Sequence, residues 1–446
     1  MQLLSSSLSL PSSPLGPSLL PSVISMRLSL ISLALAATGI RADSGFSIER
    51  RASQSKKLVG SYWPAYYHAE KVQPPSQFPW VQNDLAFYFV AVTTKWKDGG
   101  AFEMGPGQAE SDIKLFTSAA KKHNTKSLVS IGGWSGSIQF GNLVASTENR
   151  ERFAKEIKEF IHKYEFDGVD LDWEYPNSAG IGCNSVRDKD SANLLKFLKV
   201  LRREIGTDKL VTAAVATSPF NGPNGEPLED VSAFAKYFDY LNLMTYDISG
   251  SWSEKTGPLA PLRSCGADSS VEAAVEAWSS AGFPLSKIMA GIPSYATSWS
   301  TESSKLAVVK NELTSPYGGS QLFQNFAGIP KGDAEDVIPT TDECGQVSNT
   351  YTGAWKYYEL VQEGFLSADG KKGGKGYERY FDECTQTPFL FNSKTKTLIS
   401  YNDAEAASAV AKFAREKKLA GVFIFDSHGF KDDPSVLKTI RKELNA

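Results

Sequence analysis

The sequence predicts an α/β chain: a (β/α)8 TIM barrel with an α+β insertion subdomain between its seventh strand and the helix that follows. Three observations carry this. Eight short apolar runs rich in β-formers recur along the 446 residues. Amphipathic stretches with apolar residues at i, i+3, i+4 and i+7 alternate with them. Residues 297–392, rich in Gly, Tyr and Lys, break that rhythm. Repeated strand-then-helix units imply parallel strands with right-handed crossovers, and eight of them favour closure over a doubly wound open sheet.

In order, the strands are KLVGSYW (57–63), LAFYFVAV (85–92), SLVSIGG (127–133), GVDLDWE (168–174), LVTAAVA (210–216), YLNLMTYD (240–247), KIMAGIPS (287–294) and AGVFIFDS (420–427). The helical stretches are 110–123, 148–165, 191–206, 270–282 and 403–418. The barrel is then expected in two pieces, 52–296 and 393–446. A structureless loop as long as 297–392 is improbable in a compact domain, so that interval reads as folded. Its KKGGKG (371–376) lacks the spacing and the Ser/Thr of a phosphate-binding loop and reads as a solvated turn.

Composition narrows the function. With 22% charged residues and a net charge of −3, nothing selects nucleic acid or an anionic membrane surface as partner. Residues 1–51 form a leader in which Met26 reads as the working start. Arg27, the apolar stretch Leu28–Ala37 and the small residues after it have the layout of a secretory signal peptide over 26–42, with a propeptide to 51. The apolar stretch is too short to span a bilayer. A secreted, extracellular protein follows, in which Cys183, Cys265, Cys344 and Cys384 can pair. Their spacing fits no zinc motif, and neither metal nor cofactor is expected. Cys183 and Cys265 follow the fourth and sixth strands on one barrel face, while Cys344 and Cys384 lie in the insertion. Cys183–Cys265 and Cys344–Cys384 are the pairs this topology favours.

The chemistry concentrates in FDGVDLDWEYP (166–176). A strand alternates faces, so Asp170, Asp172 and Glu174 share one face and Val169, Leu171 and Trp173 the other. Neighbouring acids stand about 6.6 Å apart along the backbone. Burying such a face costs several kcal/mol per uncompensated ion, so stability does not explain it. Asp167 is off that parity and reads as structural. Barrel sites form at the C-terminal strand ends, and other strands end there in Tyr62, in Ser130 to Trp134, in Met244 to Asp247, and in Tyr295. Carboxylates and tyrosines walled by aromatics suit an uncharged, hydroxyl-rich sugar with apolar ring faces.

The acidic run resembles the Asp-x-x-Asp-x-Asp-x-Glu signature of the family 18 glycoside hydrolases, the chitinases. SIGG (130–133) is similar to that family's third-strand motif, FDYLNLMTYDISGSW (238–252) to its sixth-strand segment, and the passage 399–425 to its last helix and strand. The resemblance covers about residues 57–446 and is close to fungal secreted members. It implies a monomer acting on chitin or chito-oligosaccharides, with no nucleic acid, membrane or cofactor involved.

The resemblance also implies roles. Glu174 is the general acid, a job that needs a carboxyl still protonated near working pH. The substrate's own N-acetyl oxygen attacks the anomeric carbon, while Asp172 orients the acetamide N–H and stabilises the oxazolinium ion. Asp170 shares a proton with Asp172. Tyr246 holds the acetamide carbonyl, and Asp247 contacts the distorted sugar. Tyr62, Met244 and Tyr295 are floor and wall, and Trp134, Trp252 and Trp299 are candidate sugar platforms. Ser130, Gly132 and Gly133 allow close packing near the acids. One position departs from the family: Phe425 stands where a Trp usually floors the site, offering less stacking area and no N–H. Two other readings share the fold, an endo-β-N-acetylglucosaminidase of N-glycans and a non-catalytic chitin-binding lectin. The insertion favours a long chain over the first, and Glu174 argues against the second.

Overall fold

The computed structural model describes residues 56–67, 73–94 and 100–446, so the leader expected within 1–51 lies outside the described residues. Eight parallel strands close into a barrel: β1 (Leu58–Pro64), β2 (Leu85–Val92), β3 (Lys126–Gly132), β4 (Gly168–Asp172), β5 (Leu210–Val215), β6 (Tyr240–Leu243), β7 (Ile288–Pro293) and β8 (Gly421–Phe425). Each pairs with its neighbours in sequence order, and β8 returns to β1 with Leu58 opposite Gly421. These are the eight expected strands.

Both faces of each strand are buried, which is why they read as nearly continuous apolar runs. Alternation still sorts them. Leu85, Phe87 and Phe89 of β2 point into the barrel beside Tyr62, Leu128, Met289 and Phe423. Ala86 and Tyr88 point outward to the helix layer with Val59, Val129 and Val169. At about 25 cal/mol per Å2 removed from water, this two-sided burial is the main force holding the barrel.

The five expected helices are Glu110–His123, Thr147–Lys163, Asp190–Ile205, Val271–Ser280 and Ala404–Glu416. Side-chain caps fix several starts: Ser146 accepts from the Asn149 amide, Ser270 from Ala273, and Asp403 from Glu405 and Ala406. A further helix, Pro434–Leu444, follows β8, begins with Pro at its first turn and is capped by Asp433. The crossover from β5 to β6 holds only a 3-10 turn, Phe234–Lys236, in place of a helix.

The insertion is a six-stranded antiparallel sheet of Tyr295–Thr301, Phe326–Gly328, Ala354–Lys356, Glu378–Asp382, Thr387–Asn392 and Thr397–Tyr401. It adds a short helix, Tyr357–Gln362, and a separate hairpin, Thr340–Thr341 with Val347–Ser348. Hydrogen bonding therefore puts Tyr295, Ala296 and Thr397–Tyr401 in the insertion sheet, beyond the expected limits of 297 and 392.

Two expectations change here. The disulfides are Cys183–Cys344 and Cys265–Cys384, not Cys183–Cys265 and Cys344–Cys384. Pairing within each body assumed that barrel loops and insertion close on themselves. Instead the insertion is seated on those loops: the Leu262 amide donates to Thr385 at 2.9 Å, and the Thr256 amide to Gln324 at 2.9 Å. Each loop cysteine thus meets an insertion cysteine. Trp299 is not a sugar platform. It is fully buried with Leu322, Phe389, Phe391 and Leu398, and its Nε1 donates to the Gly250 carbonyl at 3.1 Å. Strand parity turns it into the insertion's own core.

Trp299→Ala should accordingly destabilise the fold by about 3–5 kcal/mol, the range for truncating a large buried ring. Denaturant unfolding measures this.

Candidate active site

The C-terminal mouth of the barrel opens into a cleft of about 1250 Å3. Asp170 lies beneath it, wholly buried at the centre of the barrel. Four strands supply its partners. Tyr62 of β1 and Ser130 of β3 donate to Oδ2, each at 2.9 Å, and Thr212 of β5 donates to Oδ1 at 2.6 Å. Asn242 of β6 donates to the Tyr62 hydroxyl at 2.9 Å and reaches Asp170 Oδ1 at 3.4 Å. The sheet register makes this automatic, because Ser130 and Thr212 are the direct neighbours of Asp170 on either side. Ser130 is therefore a hydrogen-bond donor to the acid as well as a small packing residue.

Asp172, one step nearer the mouth, is also buried, and its Oδ1 has no hydrogen-bond partner in the protein. Its register partner is Gly132, with φ of +121°; a Cβ there would lie 2.0 Å from the Asp172 carbonyl oxygen. Glycine is required at this close approach. The Gly133 amide then donates to that carbonyl at 2.8 Å. The ladder stops at Asp172, two residues before the expected strand end, so Glu174 leaves the sheet and faces the cleft. Its amide donates to Ser137 Oγ at 3.2 Å, its carbonyl accepts from Asn184 Nδ2 at 2.7 Å, and its carboxylate accepts from the Tyr175 hydroxyl.

Burial dominates the electrostatics. It raises Asp170 to about 6 against the pull of its three hydroxyl donors. Asp172 is pushed well above the carboxylate range, first by burial and then by the charges of Glu174 and Asp170. Glu174 is raised to about 7 by burial, with the Tyr175 hydrogen bond opposing and the Asp247 charge reinforcing. Closely placed carboxyls that cannot all ionise keep a proton in the site near neutrality.

The remaining residues come from other strand ends. Tyr246 is buried and stacks on Phe425, ring centroids 5.9 Å apart, while Tyr295 packs edge-on to it at 6.2 Å. Tyr295 donates to Asp247 Oδ1 at 2.8 Å, and Asp247 holds a left-handed φ of 56° that turns it toward the mouth. Burial raises Asp247 as well, though its exposure to the cleft lets water temper the shift. Met244 and Phe425 line the bottom with Tyr62. Trp134 and Trp252, 50% and 67% exposed, stand on the rim with apolar faces open to a ligand. Asp167 is apart from all of these and accepts from Lys126 Nζ at 2.7 Å and the Ser127 amide at 3.0 Å, a structural place. Among the described residues no cluster of His, Cys, Asp and Glu could hold a metal ion.

Thr212, Asn242, Ser137, Asn184, Tyr175 and Glu343 also build the site and were not expected. Thr212 and Asn242 were findable, as lone polar residues at inward positions of apolar strands. Asn184 and Glu343 sit on loops with no periodic signal.

A closed (β/α)8 barrel with Asp172, Glu174, a tyrosine pair and rim tryptophans at its mouth, over the buried Asp170, fits a protein of the glycoside hydrolase class. The chain matches Glycosyl hydrolases family 18 over residues 63–429 and belongs to that family. A "chitinase-like effector" of Moniliophthora roreri is 34% identical over 86% of this chain and 93% of its own. Chitinase A1 of Niallia circulans is 28% identical over 72% of this chain and 42% of its own. The crystal structure of a Rhizomucor miehei chitinase superposes with a TM-score of 0.76, at 27% identity, over 87% of this chain and all of that one.

The raised acids make the site a cost to stability. Asp170 and Glu174 hold protons in the folded chain where the unfolded chain has released them, so their contribution is complete at low pH and is lost as pH climbs through about 6 and 7. Glu174→Gln, uncharged throughout, should gain stability over the unaltered protein above about pH 7, on the order of a few kcal/mol, and converge with it near pH 4. Denaturant unfolding at the two pH values checks the sign.

Proposed function

We propose that the protein is a secreted chitinase that hydrolyses β-1,4 linkages between N-acetylglucosamine units with retention of anomeric configuration. The observation that carries this reading is Glu174 at the cleft mouth, raised to about 7 and one alternation beyond an Asp172 whose Oδ1 has no partner. A carboxyl poised there can protonate a leaving glycosidic oxygen near neutral pH. The unpartnered Asp172 oxygen can accept the acetamide N–H of a sugar in the cleft, and Tyr246 stands beside it to hold the carbonyl. The acetamide oxygen then attacks the anomeric carbon as the C–O bond breaks and Glu174 gives its proton to the departing oxygen. The oxazolinium ion so formed is stabilised by Asp172 carboxylate. Water, deprotonated by Glu174, then attacks the anomeric carbon from the face the leaving group left, opposite the acetamide oxygen, and breaks that oxygen's bond to the carbon; the two inversions give retention. Asp170 keeps Asp172 protonated or ionised as the step requires by exchanging a proton with it. Secretion is supported by the Leu28–Ala37 stretch and by the two disulfides. Among the described residues no helix is long and apolar enough to cross a membrane.

A second reading has its own support. Relatives in two Moniliophthora species, 34% and 33% identical, carry the name chitinase-like effector, and Phe425 gives the floor a smaller ring than Trp. A protein that holds chito-oligosaccharides without cutting them would fit both.

Time-resolved anomer analysis of chitohexaose separates the two. The unaltered protein should release β-anomer products, and Glu174→Gln should be slower by about 10²–10⁴-fold, the span for removing a general acid. Binding without cleavage by either protein would leave the non-catalytic reading standing.

A further inference from the structure

The loop that follows Glu174 has no regular structure, and three consecutive residues near its end tie it to three different places. Cys183 is bonded to Cys344 of the insertion hairpin. Asn184 donates from Nδ2 to the Glu174 carbonyl at 2.7 Å. The Ser185 amide donates to the Ile138 carbonyl at 2.7 Å, on the segment after β3 that also presents Ser137 to the Glu174 amide. The loop is shaped for this contact. Gly180 has φ of +51°, and a Cβ there would lie 2.1 Å from the Glu174 carbonyl oxygen and 2.4 Å from Asn184 Nδ2. Any larger residue at 180 would separate the amide from the carbonyl it serves.

We infer that Asn184 is a positioning residue for the general acid, and that the Cys183–Cys344 bridge makes the insertion part of its support. Glu174 has left the sheet, so no ladder hydrogen bond fixes its backbone. Ser137 holds its amide and Asn184 its carbonyl, and these two contacts set where the carboxyl stands relative to Asp172. Residue 183 is exposed, and Gly182 beside it has open space around it, so the bridge supplies from outside what the loop lacks in packing. The hairpin also carries Glu343 to the cleft wall, so one bond fixes a cleft wall and the acid together. This rests on the reading of Glu174 as the acid.

The test compares Asn184→Ala and the double variant Cys183→Ala/Cys344→Ala with Cys265→Ala/Cys384→Ala, which also cuts a bridge between loop and insertion but not one next to Asn184. With chitohexaose as probe, kcat should fall roughly tenfold or more in the first two, because small misplacements of a reacting group are costly, with KM changed less than about twofold. The alkaline limb of their kcat profile should move to lower pH, since a looser Glu174 is better hydrated and ionises earlier. The control pair should melt earlier and keep the limb. Combining Asn184→Ala with the loss of Cys183–Cys344 should cost little more than either alone. Hydrogen exchange over residues 174–185 gives a readout independent of turnover, and it should quicken in both variants. Unchanged exchange and an unmoved limb in folded variants would overturn the inference, and a change in KM alone would make the hairpin only a substrate wall. An inert unaltered protein with quickened exchange in the variants would sink the hydrolase reading and leave the anchoring intact.

Discussion

A carboxyl group at the centre of the barrel, Asp170, is the constraint around which the rest is arranged. An unsolvated acid there would be prohibitive without partners, and four strands contribute a hydroxyl or amide to meet it. Those donors work only if the register is right, so the chemistry of one buried group fixes how β1, β3, β5 and β6 stand beside β4. The aromatic and aliphatic filling of the barrel below, with Phe87, Met289 and Phe423, excludes the water that would otherwise relieve the burial. Asp172 and Glu174, in the cleft above, are raised by their own burial and by neighbouring carboxylate charges.

Above the floor, responsibility passes from strands to loops. The sheet can hold Asp170 and Asp172 by register, but not a group that must sit beyond its edge. Glu174 and Asp247 are therefore held by particular contacts: Ser137 and Asn184 for one, Tyr295 for the other. Tyr295 belongs to the insertion sheet and Asn184 is next to a disulfide that ends in the insertion. The insertion thus reaches the surroundings of Glu174 and Asp247, and it lends Glu343 to the cleft lining.

Much of this was legible in the sequence, for identifiable reasons. Strands buried on both faces announce themselves by continuous apolar runs, and all eight were found. The acid face was readable because alternation has a period of two and Asp170, Asp172 and Glu174 obey it. What escaped depended on contacts between segments far apart in the chain. Nothing in the local sequence says that Cys183 meets Cys344, since that depends on how the insertion sits on the barrel. Trp299 shares its residue type with the rim residues Trp134 and Trp252, yet it falls on the buried face of its strand. Asn184 has the same composition as any loop asparagine, and only the path of the chain between Gly180 and Glu174 gives it a task.

The first and last strands of the insertion, Tyr295–Thr301 and Thr397–Tyr401, are hydrogen-bonded neighbours, with Ala296 opposite Tyr401. The chain therefore leaves the barrel and re-enters it at nearly the same point, and the gap between β7 and the following helix is as short as if nothing had been added. A module attached in this way can be gained, lost or exchanged as a cassette without disturbing the closure of the barrel, and lineages can remodel the cleft wall while the acid strand stays fixed. The two cross-bridges cut against that freedom: once cysteines in the cassette pair with cysteines in the host, the graft and its stock can diverge only together.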